Sequence, residues 1–243
     1  MYEELKKAIE ASSRIVFFGG AGVSTESGIP DFRSEDGLYK SMSEYGVSPE
    51  EMVSRTFFKN NPNTFFKYYK ENLMHPDAKP NAAHFALAKL EERGKLLAVI
   101  TQNVDGLHQK AGSKNVIQVH GSALKNYCID CNEIYHELYV LTPIANSDHV
   151  PLCGKCNGIV RPDVVLFEES LDQDVISRAI DAISKADMLI VGGTSLVVYP
   201  AAGLLNYFKG GILVLINKSA TSYDTRADFV IKDSIGTVLG SVV

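Results

Sequence analysis

The sequence predicts an α/β protein built on a doubly wound parallel sheet, with a smaller second domain formed by two insertions. Short β-branched runs end in glycine or polar residues and recur along the chain, at residues 15–18, 96–100, 116–119, 188–191, 212–216 and 229–231. Helical patterns lie between several of these runs, at 82–93, 175–185 and 200–208. Strands that alternate with helices are typical of a parallel sheet covered on both faces.

Length and charge narrow the class of protein. A chain of 243 residues can form one large domain with insertions. Its 24 basic and 29 acidic side chains give a net charge of -5, which disfavours the broad cationic face that general nucleic-acid binding requires. No apolar run approaches the roughly 20 residues that span a bilayer, and residues 1–13 form an amphipathic helical pattern instead of a secretion signal. We therefore expect a cytoplasmic protein without membrane contact.

Two stretches interrupt the alternation of strands and helices. Residues 39–80 are polar and aromatic with Asn-Pro breaks, and residues 123–160 contain all four cysteines among turns and short strands. We expect these two insertions to form the small domain. The sheet domain then consists of 1–38, 81–122 and 161–243.

A glycine-rich turn follows the first strand, within GGAGVSTESGIPDFR at residues 19–33. Gly20-Ala21-Gly22 would let the backbone approach a pyrophosphate, held by the N–H groups and dipole of a following helix. The dinucleotide fingerprint also requires glycine or alanine where Thr25 stands, and an acidic residue about twenty positions later. Neither is present, so the turn alone could be purely structural. Its polar side chains favour a donor-rich loop around a ligand; they are Ser24, Ser27, Asp31 and Arg33.

Polar residues also follow three later strands. The run at 96–100 continues into TQNVDGLH, and the run at 188–191 continues into GGTS. In an open parallel sheet, ligands bind at the carboxyl ends of the strands, so these loops should meet in one crevice. Asn217 follows the run at 212–216 and offers an amide to a ribose, although it could equally be an ordinary turn residue.

The four cysteines form two Cys-x-x-Cys pairs, Cys128 with Cys131 and Cys153 with Cys156, separated by 21 residues. This is close to a zinc-ribbon pattern, although slightly long. Four thiolates close a tetrahedral shell around zinc and leave no position for water, so the metal would be structural. A redox dithiol and free buried cysteines are the competing interpretations.

Taken together, these motifs resemble the sirtuins, which are NAD-dependent protein-lysine deacylases. The matching stretches are GAGVSTESGIPDFR, TQNVDGLHQKAG, His120-Gly121, the two cysteine pairs, RPDVVLFEE, GTSLVVYPAA and LIN, in the family's order over roughly residues 19–217. The resemblance implies a compact, prokaryote-like member with a Rossmann-like domain and a small domain made of a helical module and a zinc ribbon. In sirtuins the loop after the first turn folds over the nicotinamide ribose, so dehydrogenase spacing is not expected.

The resemblance also implies a reaction. In the sirtuin scheme the acetyl-lysine carbonyl oxygen attacks the ribose C1′ of NAD and nicotinamide leaves. Water then enters, and the products are free lysine and 2′-O-acetyl-ADP-ribose. His120 matches the general base, a task that suits an imidazole with a pKa near neutrality. Without the motif, a His-Gly pair at a strand end would indicate a structural histidine. Asn103 and Ser24 match residues that arrange the ribose and a water.

Further site residues follow from the same match. Asp105 corresponds to the residue that binds the nicotinamide carboxamide, Phe32 to the ring that shields the reacting carbon, and Arg33 to a partner of phosphate or ribose oxygens. The cofactor-binding set is Gly20, Ala21, Gly22, Ser24, Thr25, Phe32, Arg33, Gln102, Asn103, Val104, Asp105, His120, Gly193, Thr194, Ser195, Asn217 and Asp233.

Acetylated lysine peptides are the expected partners. The resemblance implies that the peptide binds as an added strand, and that the acyl-lysine enters an apolar tunnel for which Val165, Phe167 and Val198 are candidates. Many sirtuins have glycine where Glu168 stands, which suggests a preference for basic flanking residues. Gly19 replaces a frequent threonine. Residues 39–80 lack the Tyr-x-x-Arg pair that grips acidic acyl groups, so neutral acyl groups are favoured.

Two other functions remain open from the sequence. A protein ADP-ribosyltransferase would use the same activation of NAD but transfer ADP-ribose to a protein. A non-catalytic nucleotide sensor could use the cysteine ribbon to contact nucleic acid, although the acidic charge balance disfavours it.

Overall fold

The computed structural model describes residues 2–31, 45–141 and 149–243. Its main sheet has six parallel strands in the order β3-β2-β1-β7-β8-β9. In chain order, the strands are β1 Ile15–Gly19, β2 Leu96–Thr101, β3 Val116–Gln118, β4 Gly121–Cys128, β5 Ile134–His136, β6 Val160–Val164, β7 Met188–Gly192, β8 Ile212–Ile216 and β9 Phe229–Ile231. The predicted parallel sheet is confirmed.

Both faces of this sheet are covered because successive strand residues point to opposite sides. In β1, Ile15 and Phe17 join one core cluster, and Val16 and Phe18 join the other. The first face is covered by α1 Tyr2–Ala11, α5 Ala82–Glu92 and α8 Ile235–Val242, and the second by α7 Gln173–Lys185 and a 3-10 helix at Ala201–Tyr207.

The helical pattern at 200–208 therefore forms a 3-10 helix. Its first residues follow Pro200, and Gly203 lies inside the segment. Gly203 disfavours a regular α-helix because glycine loses more backbone entropy on folding, whereas a proline at the start is compatible with either kind of helix.

The strand order places a ligand site at the centre of the sheet. From β1 the chain moves outward through β2 and β3 on one side, and later through β7, β8 and β9 on the other. The topological switch point lies between β1 and β7, and in open α/β sheets ligands bind outside the carboxyl ends of the strands at such a point. A glycine turn follows each of these two strands, at Gly20 and at Gly193.

A second sheet and a group of short helices lie apart from the main sheet. The second sheet is antiparallel, in the order β5-β4-β6. The helices are α2 Pro49–Met52, α3 Arg55–Asn60 and α4 Pro62–Asn72, and the short α6 Leu107–Lys110 follows β2. Aromatic residues of α3 and α4 pack with Val140 and Leu166, so the two insertions share a core. Across the described ranges, no helix combines the length and the apolar character needed to cross a membrane.

Candidate active site

The glycine turns after β1 and β7 pack directly against each other. Gly22 N–H donates to the Gly193 carbonyl oxygen at 2.8 Å, and a Cβ added to Gly22 would lie 2.8 Å from Gly193 Cα. Gly193 has φ +61°, which is the left-handed region that favours glycine. These glycines therefore allow two backbone segments to meet, a requirement that exists before any nucleotide binds.

The segment after the first turn differs from the expected helix. Two 3-10 helices, Ala21–Val23 and Thr25–Ser27, follow β1, and the second ends at Gly28 in the left-handed conformation. The backbone thus curls through two tight turns, so the expected α-helix and its dipole do not follow the glycine turn directly. Glu26, which the sequence analysis did not single out, fixes this curl to α8 by accepting a hydrogen bond from Gly236 N–H at 2.7 Å.

A buried hydrogen-bond chain connects the loops after β1 and β2. The Asn103 amide donates to Ser24 Oγ at 3.0 Å, and the Ser24 hydroxyl donates to Asp105 Oδ2 at 2.7 Å. Asn103 N–H also bonds Thr101 Oγ1 at 3.0 Å. Each donor has one acceptor, so the orientation of all three site side chains is set before a ligand arrives.

His120 lies just beyond β3 at the same sheet edge. Its Nδ1 is 3.1 Å from the Gln102 carbonyl oxygen. Since a carbonyl oxygen only accepts, Nδ1 must carry the proton, and the lone pair of the neutral ring is on Nε2. Burial lowers the pKa of His120, and the hydrogen bond to Gln102 partly opposes this shift. A neutral ring with a free Nε2 is the form that a general base requires.

The backbone beside His120 is also fixed. Gly121 has φ +77°, and any side chain there would collide with the Asp163 carbonyl oxygen. Val165 N–H donates to the His120 carbonyl oxygen at 2.9 Å. The His120-Gly121 pair is therefore held between the Gln102 loop and the segment that carries Val165.

The turn after β7 is held by side chains that follow β8 and β2. The Asn217 amide brackets Thr194, accepting from its N–H at 3.0 Å and donating to its carbonyl oxygen at 2.9 Å. Gln102 Nε2 donates to Thr194 Oγ1 at 3.0 Å. Asn217 thus supports the turn, and its contact with a ribose stays a prediction.

Most of the predicted cofactor residues lie at one edge of the sheet. Residues 20–22, 24 and 25 follow β1, residues 102–105 follow β2, residues 193–195 follow β7, and Asn217 follows β8. Asp233 follows β9, where its carboxylate accepts from the Tyr2 hydroxyl at 2.8 Å and from Ser234 N–H. Phe32 and Arg33 lie outside the described residues.

The predicted substrate residues lie on two segments. Phe167 pairs through its backbone with the residues before α3, donating to the Val53 carbonyl and accepting from Arg55 N–H. Phe167 as a whole is 37% exposed. Val165 and Val198 are half-buried, Val198 in the loop after the β7 turn. Of the three, Val165 lies beside His120 through the backbone hydrogen bond already described, and the tunnel itself stays a prediction.

An ion pair that sequence reasoning missed braces this segment. Arg161 contacts both oxygens of Glu169, at 2.7 and 3.1 Å, and also donates to the Val164 carbonyl at 2.6 Å. Glu169 accepts from Leu166 N–H at 2.8 Å. Both residues belong to RPDVVLFEE. The sequence signal for this ion pair was an arginine and a glutamate eight positions apart within one short segment.

Glu168 adopts the left-handed conformation, with φ +72°. Its carboxylate accepts from Thr56 N–H at 2.9 Å and from Thr56 Oγ1 at 2.7 Å, and these bonds lower its pKa. The charge therefore caps the amino terminus of α3. This internal partner weakens the argument that Glu168 selects basic substrates.

The four cysteines form a compact cluster. Their sulfur atoms all lie within 4.8 Å of one another, with Cys128 and Cys156 at 3.4 Å and Cys131 and Cys153 at 3.6 Å. Zinc–sulfur bonds of about 2.3 Å in a tetrahedron place the sulfurs roughly 3.8 Å apart, so the donor set fits structural zinc. The Tyr135 hydroxyl donates to Cys153 Sγ at 3.1 Å and lowers the pKa of that thiol to about 6.

Comparison with known proteins assigns the family. Residues 20–200 match the model described as the Sir2 family. An "NAD-dependent protein deacetylase" of Clostridium acetobutylicum is 62% identical over 240 residues, which cover 99% of this chain and 97% of the relative. The chain belongs to the Sir2 family. A second deacetylase, from Clostridium perfringens, is 62% identical over 241 residues, with the same coverage of both chains.

Solved Sir2 structures share the whole fold. A Sir2 complex with a p53 peptide and NAD+ has a TM-score of 0.89 at 40% identity, covering 100% of this chain and 97% of that chain. A Sir2 enzyme bound to a propionylated peptide has a TM-score of 0.87 at 40% identity, covering 99% and 96%. In this Sir2 protein the family match includes the crevice loops up to Ser195, whereas Asn217 and Asp233 lie beyond it.

Proposed function

We propose that this Sir2 protein uses NAD to remove acetyl or other neutral acyl groups from protein lysines. The products are nicotinamide, 2′-O-acetyl-ADP-ribose and free lysine. One observation carries the proposal: His120, with Nδ1 fixed and Nε2 free, lies at the same sheet edge as the glycine turns and the Ser24 network. Relatives named as NAD-dependent protein deacetylases, 62% identical over nearly the full chain, support it.

The crevice fits NAD in its chemistry. Two glycine turns meet at the switch point with no Cβ between them, so a pyrophosphate can approach the backbone closely there. The Asp105 carboxylate lies beside the Ser24 loop and would bind the nicotinamide carboxamide. Ser24 and Asn103 would orient the ribose. When bound, NAD supplies a ribose carbon that becomes electrophilic as nicotinamide leaves.

His120 is the proposed general base. Its Nε2 accepts a proton from a ribose hydroxyl, while Nδ1–H stays bonded to the Gln102 carbonyl and stabilises the charged ring. Because burial lowers the pKa of His120, the ring is neutral and ready to accept at neutral pH. General bases of this kind commonly contribute about 10²- to 10⁴-fold in rate.

The peptide is held beside this group. We infer that it adds as a strand along the Val165–Glu169 segment, with Val165, Phe167 and Val198 around the acyl-lysine stem. The Arg161–Glu169 pair and the pairing of Phe167 with Val53 and Arg55 keep that segment rigid. A rigid edge suits recognition through backbone hydrogen bonds.

The small domain has a supporting task. We propose that it comprises residues 39–80 and 123–160, that its four cysteines hold one structural zinc, and that residues 1–38, 81–122 and 161–243 form the NAD-binding domain. The mixed aromatic core of the two insertions supports this division. Four free cysteines fit a reducing compartment, so we also propose a cytoplasmic location.

The test is an incubation with labelled NAD and an acetylated peptide, read by mass spectrometry. We expect deacetylated peptide and acetyl-ADP-ribose in equal amounts, and loss of both in His120→Ala. His136→Ala, which changes an exposed histidine in β5, should retain wild-type rates. Label transferred to protein without deacetylation would indicate an ADP-ribosyltransferase. Normal NAD binding by the wild type with no turnover for His120→Ala to remove would indicate a sensor.

A further inference from the structure

Asn81 connects the amino terminus of α5 to the curled loop that carries Ser24. Its side-chain amide donates to the Val23 carbonyl oxygen at 2.8 Å and to Ser27 Oγ at 3.0 Å. These two acceptors lie on either side of Ser24 and Thr25. A single side chain therefore holds both ends of the segment that the proposed function assigns to NAD.

Asn81 is itself held on two sides. Its side-chain oxygen accepts from Ala83 N–H at 3.0 Å, and its backbone N–H donates to His84 Nδ1 at 3.2 Å, which completes a capping box. His84 is fully buried and packs against the His108 ring, with ring centroids 4.7 Å apart. The amide that reaches the loop thus projects from a rigid base.

The division of labour within the side chain is informative. Capping a helix requires only an acceptor, and serine or aspartate performs that task about as well as asparagine. Holding Val23 and Ser27 requires a donor long enough to reach them. Asparagine is the short side chain that offers both groups, and one group serves the helix while the other serves the loop.

We propose that Asn81 is a positioning residue for NAD, acting through the Val23–Ser27 loop and not by contact with substrate. This inference rests on the proposed function, because it assumes that the loop binds NAD. Without the amide, Ser24 keeps its partners Asn103 and Asp105, but the loop on which it lies loses its anchor to α5. The expected result is weaker NAD binding with unchanged peptide binding.

The experiment compares two variants that keep the helix cap. Asn81→Ser and Asn81→Asp both retain an acceptor for Ala83 N–H and lose the long amide donor. We expect the KM for NAD to rise about tenfold in each, the factor that one buried hydrogen bond commonly contributes. The KM for acetyl-peptide and the melting temperature without NAD should stay near wild type. Ser27→Ala, which removes one of the two loop contacts, should give a smaller rise.

Asp172→Asn is the matched control, because Asp172 caps α7 through Asp174 and Val175 N–H groups on the other face of the sheet. Its KM for NAD should equal that of wild type. A higher KM for NAD in Asn81→Asp but not in Asn81→Ser would mean that charge repulsion causes the change. Equal rises in the KM values for NAD and for acetyl-peptide, with a lower melting temperature, would mean that Asn81 only caps the helix. Either result overturns the inference. An unchanged KM for NAD also overturns it while leaving the proposed function intact. Wild-type protein that binds no NAD would overturn both.

Discussion

The NAD crevice and the cysteine module are both made of loops, but their loops are held in different ways. The crevice loops extend from a sheet whose central strand β1 is buried along its whole length. Within the described residues, the core cluster around the cysteines has three buried members, Cys128, Cys153 and Val160. Ile134 beside it is 71% exposed. A large apolar core supports the first region, whereas the second has its thiolates and, through Val140, one part of the aromatic core that it shares with α3 and α4.

This difference teaches where each region is vulnerable. In the crevice, NAD binding depends on residues that make close backbone contacts and hydrogen bonds in the loops, while the sheet below them is stable. In the module, each pair of cysteines is followed by an asparagine in the left-handed conformation, Asn132 and Asn157, so the backbone is already bent around a centre. So few buried residues make only a small apolar core, and metal binding supplies the folding free energy that this core lacks.

Zinc removal should separate the two regions most strongly. In zinc-finger peptides the metal contributes about 10 kcal/mol or more to folding, so a chelator should abolish the structure around β4, β5 and β6. Hydrogen exchange should show amides of β4, β5 and β6 losing protection, while those of β1 and β7 keep it. NAD binding should survive, and peptide deacetylation should not. Full protection of β4, β5 and β6 in protein confirmed to be zinc-free would contradict this.

One chemical change, glycine to alanine, should damage each region through a different contact. Gly22→Ala places a Cβ 2.8 Å from Gly193 Cα, and Gly158→Ala places one against the Asp130 carboxylate and 2.9 Å from Cys128 Sγ. Overpacking of this kind commonly costs about 1–3 kcal/mol. We expect Gly22→Ala to weaken NAD binding with zinc retained, and Gly158→Ala to lower zinc affinity with NAD binding retained. Gly154→Ala meets nothing within 4 Å and should match wild type; the same defect in both variants would be inconsistent with separate support.

Acid should loosen the crevice side first. Burial lowers the pKa of His84 to about 4 and that of His108 to about 3, below the usual value near 6.5. The unfolded chain therefore binds more protons below pH 6.5, and the free energy of unfolding should fall as pH drops from 6.5 toward 4. Each group contributes up to about 1.4 kcal/mol per pH unit. Denaturant titrations measure this slope, which His108→Phe should flatten; an unchanged slope would refute the assignment.

Glu168 joins helix α3 to the substrate segment, and its substitution should have the smallest effect on activity. Because its carboxylate is exposed and already bonded to Thr56, wild-type rates on acidic and basic acetyl-peptides should agree within about twofold. Glu168→Gln keeps an acceptor, whereas Glu168→Ala removes it and should raise the peptide KM modestly. A strong preference for basic peptides that Glu168→Gln abolishes would restore substrate selection as its role.

The sequence predicted the features that depend on local pattern. β-branched runs marked the main strands, and the spacing of Cys128, Cys131, Cys153 and Cys156 marked the cluster, because these signals lie within short segments. The order of the motifs also placed His120 at a strand end, where the structure has it.

The features that escaped depend on distant contacts. Gly22 requires its small size because Gly193 lies against it, and the Asn217 amide is occupied by Thr194. Partners from far along the chain decide these two roles, and one sequence read locally does not contain them. The helices after Ser48 and Ser54 were also not assigned, but for them the local signals were present, in serine caps and Pro49.

The central claim is that an acyl-lysine amide oxygen meets the NAD ribose beside His120. The most direct measurement uses a peptide whose acetyl-lysine carbonyl carries oxygen-18, with mass analysis of the products. The account predicts that the label appears in the ADP-ribose part of acetyl-ADP-ribose, in amounts equal to the free lysine formed. Label released in free acetate, with no acetyl-ADP-ribose, would show that water attacks the amide directly and would contradict the account.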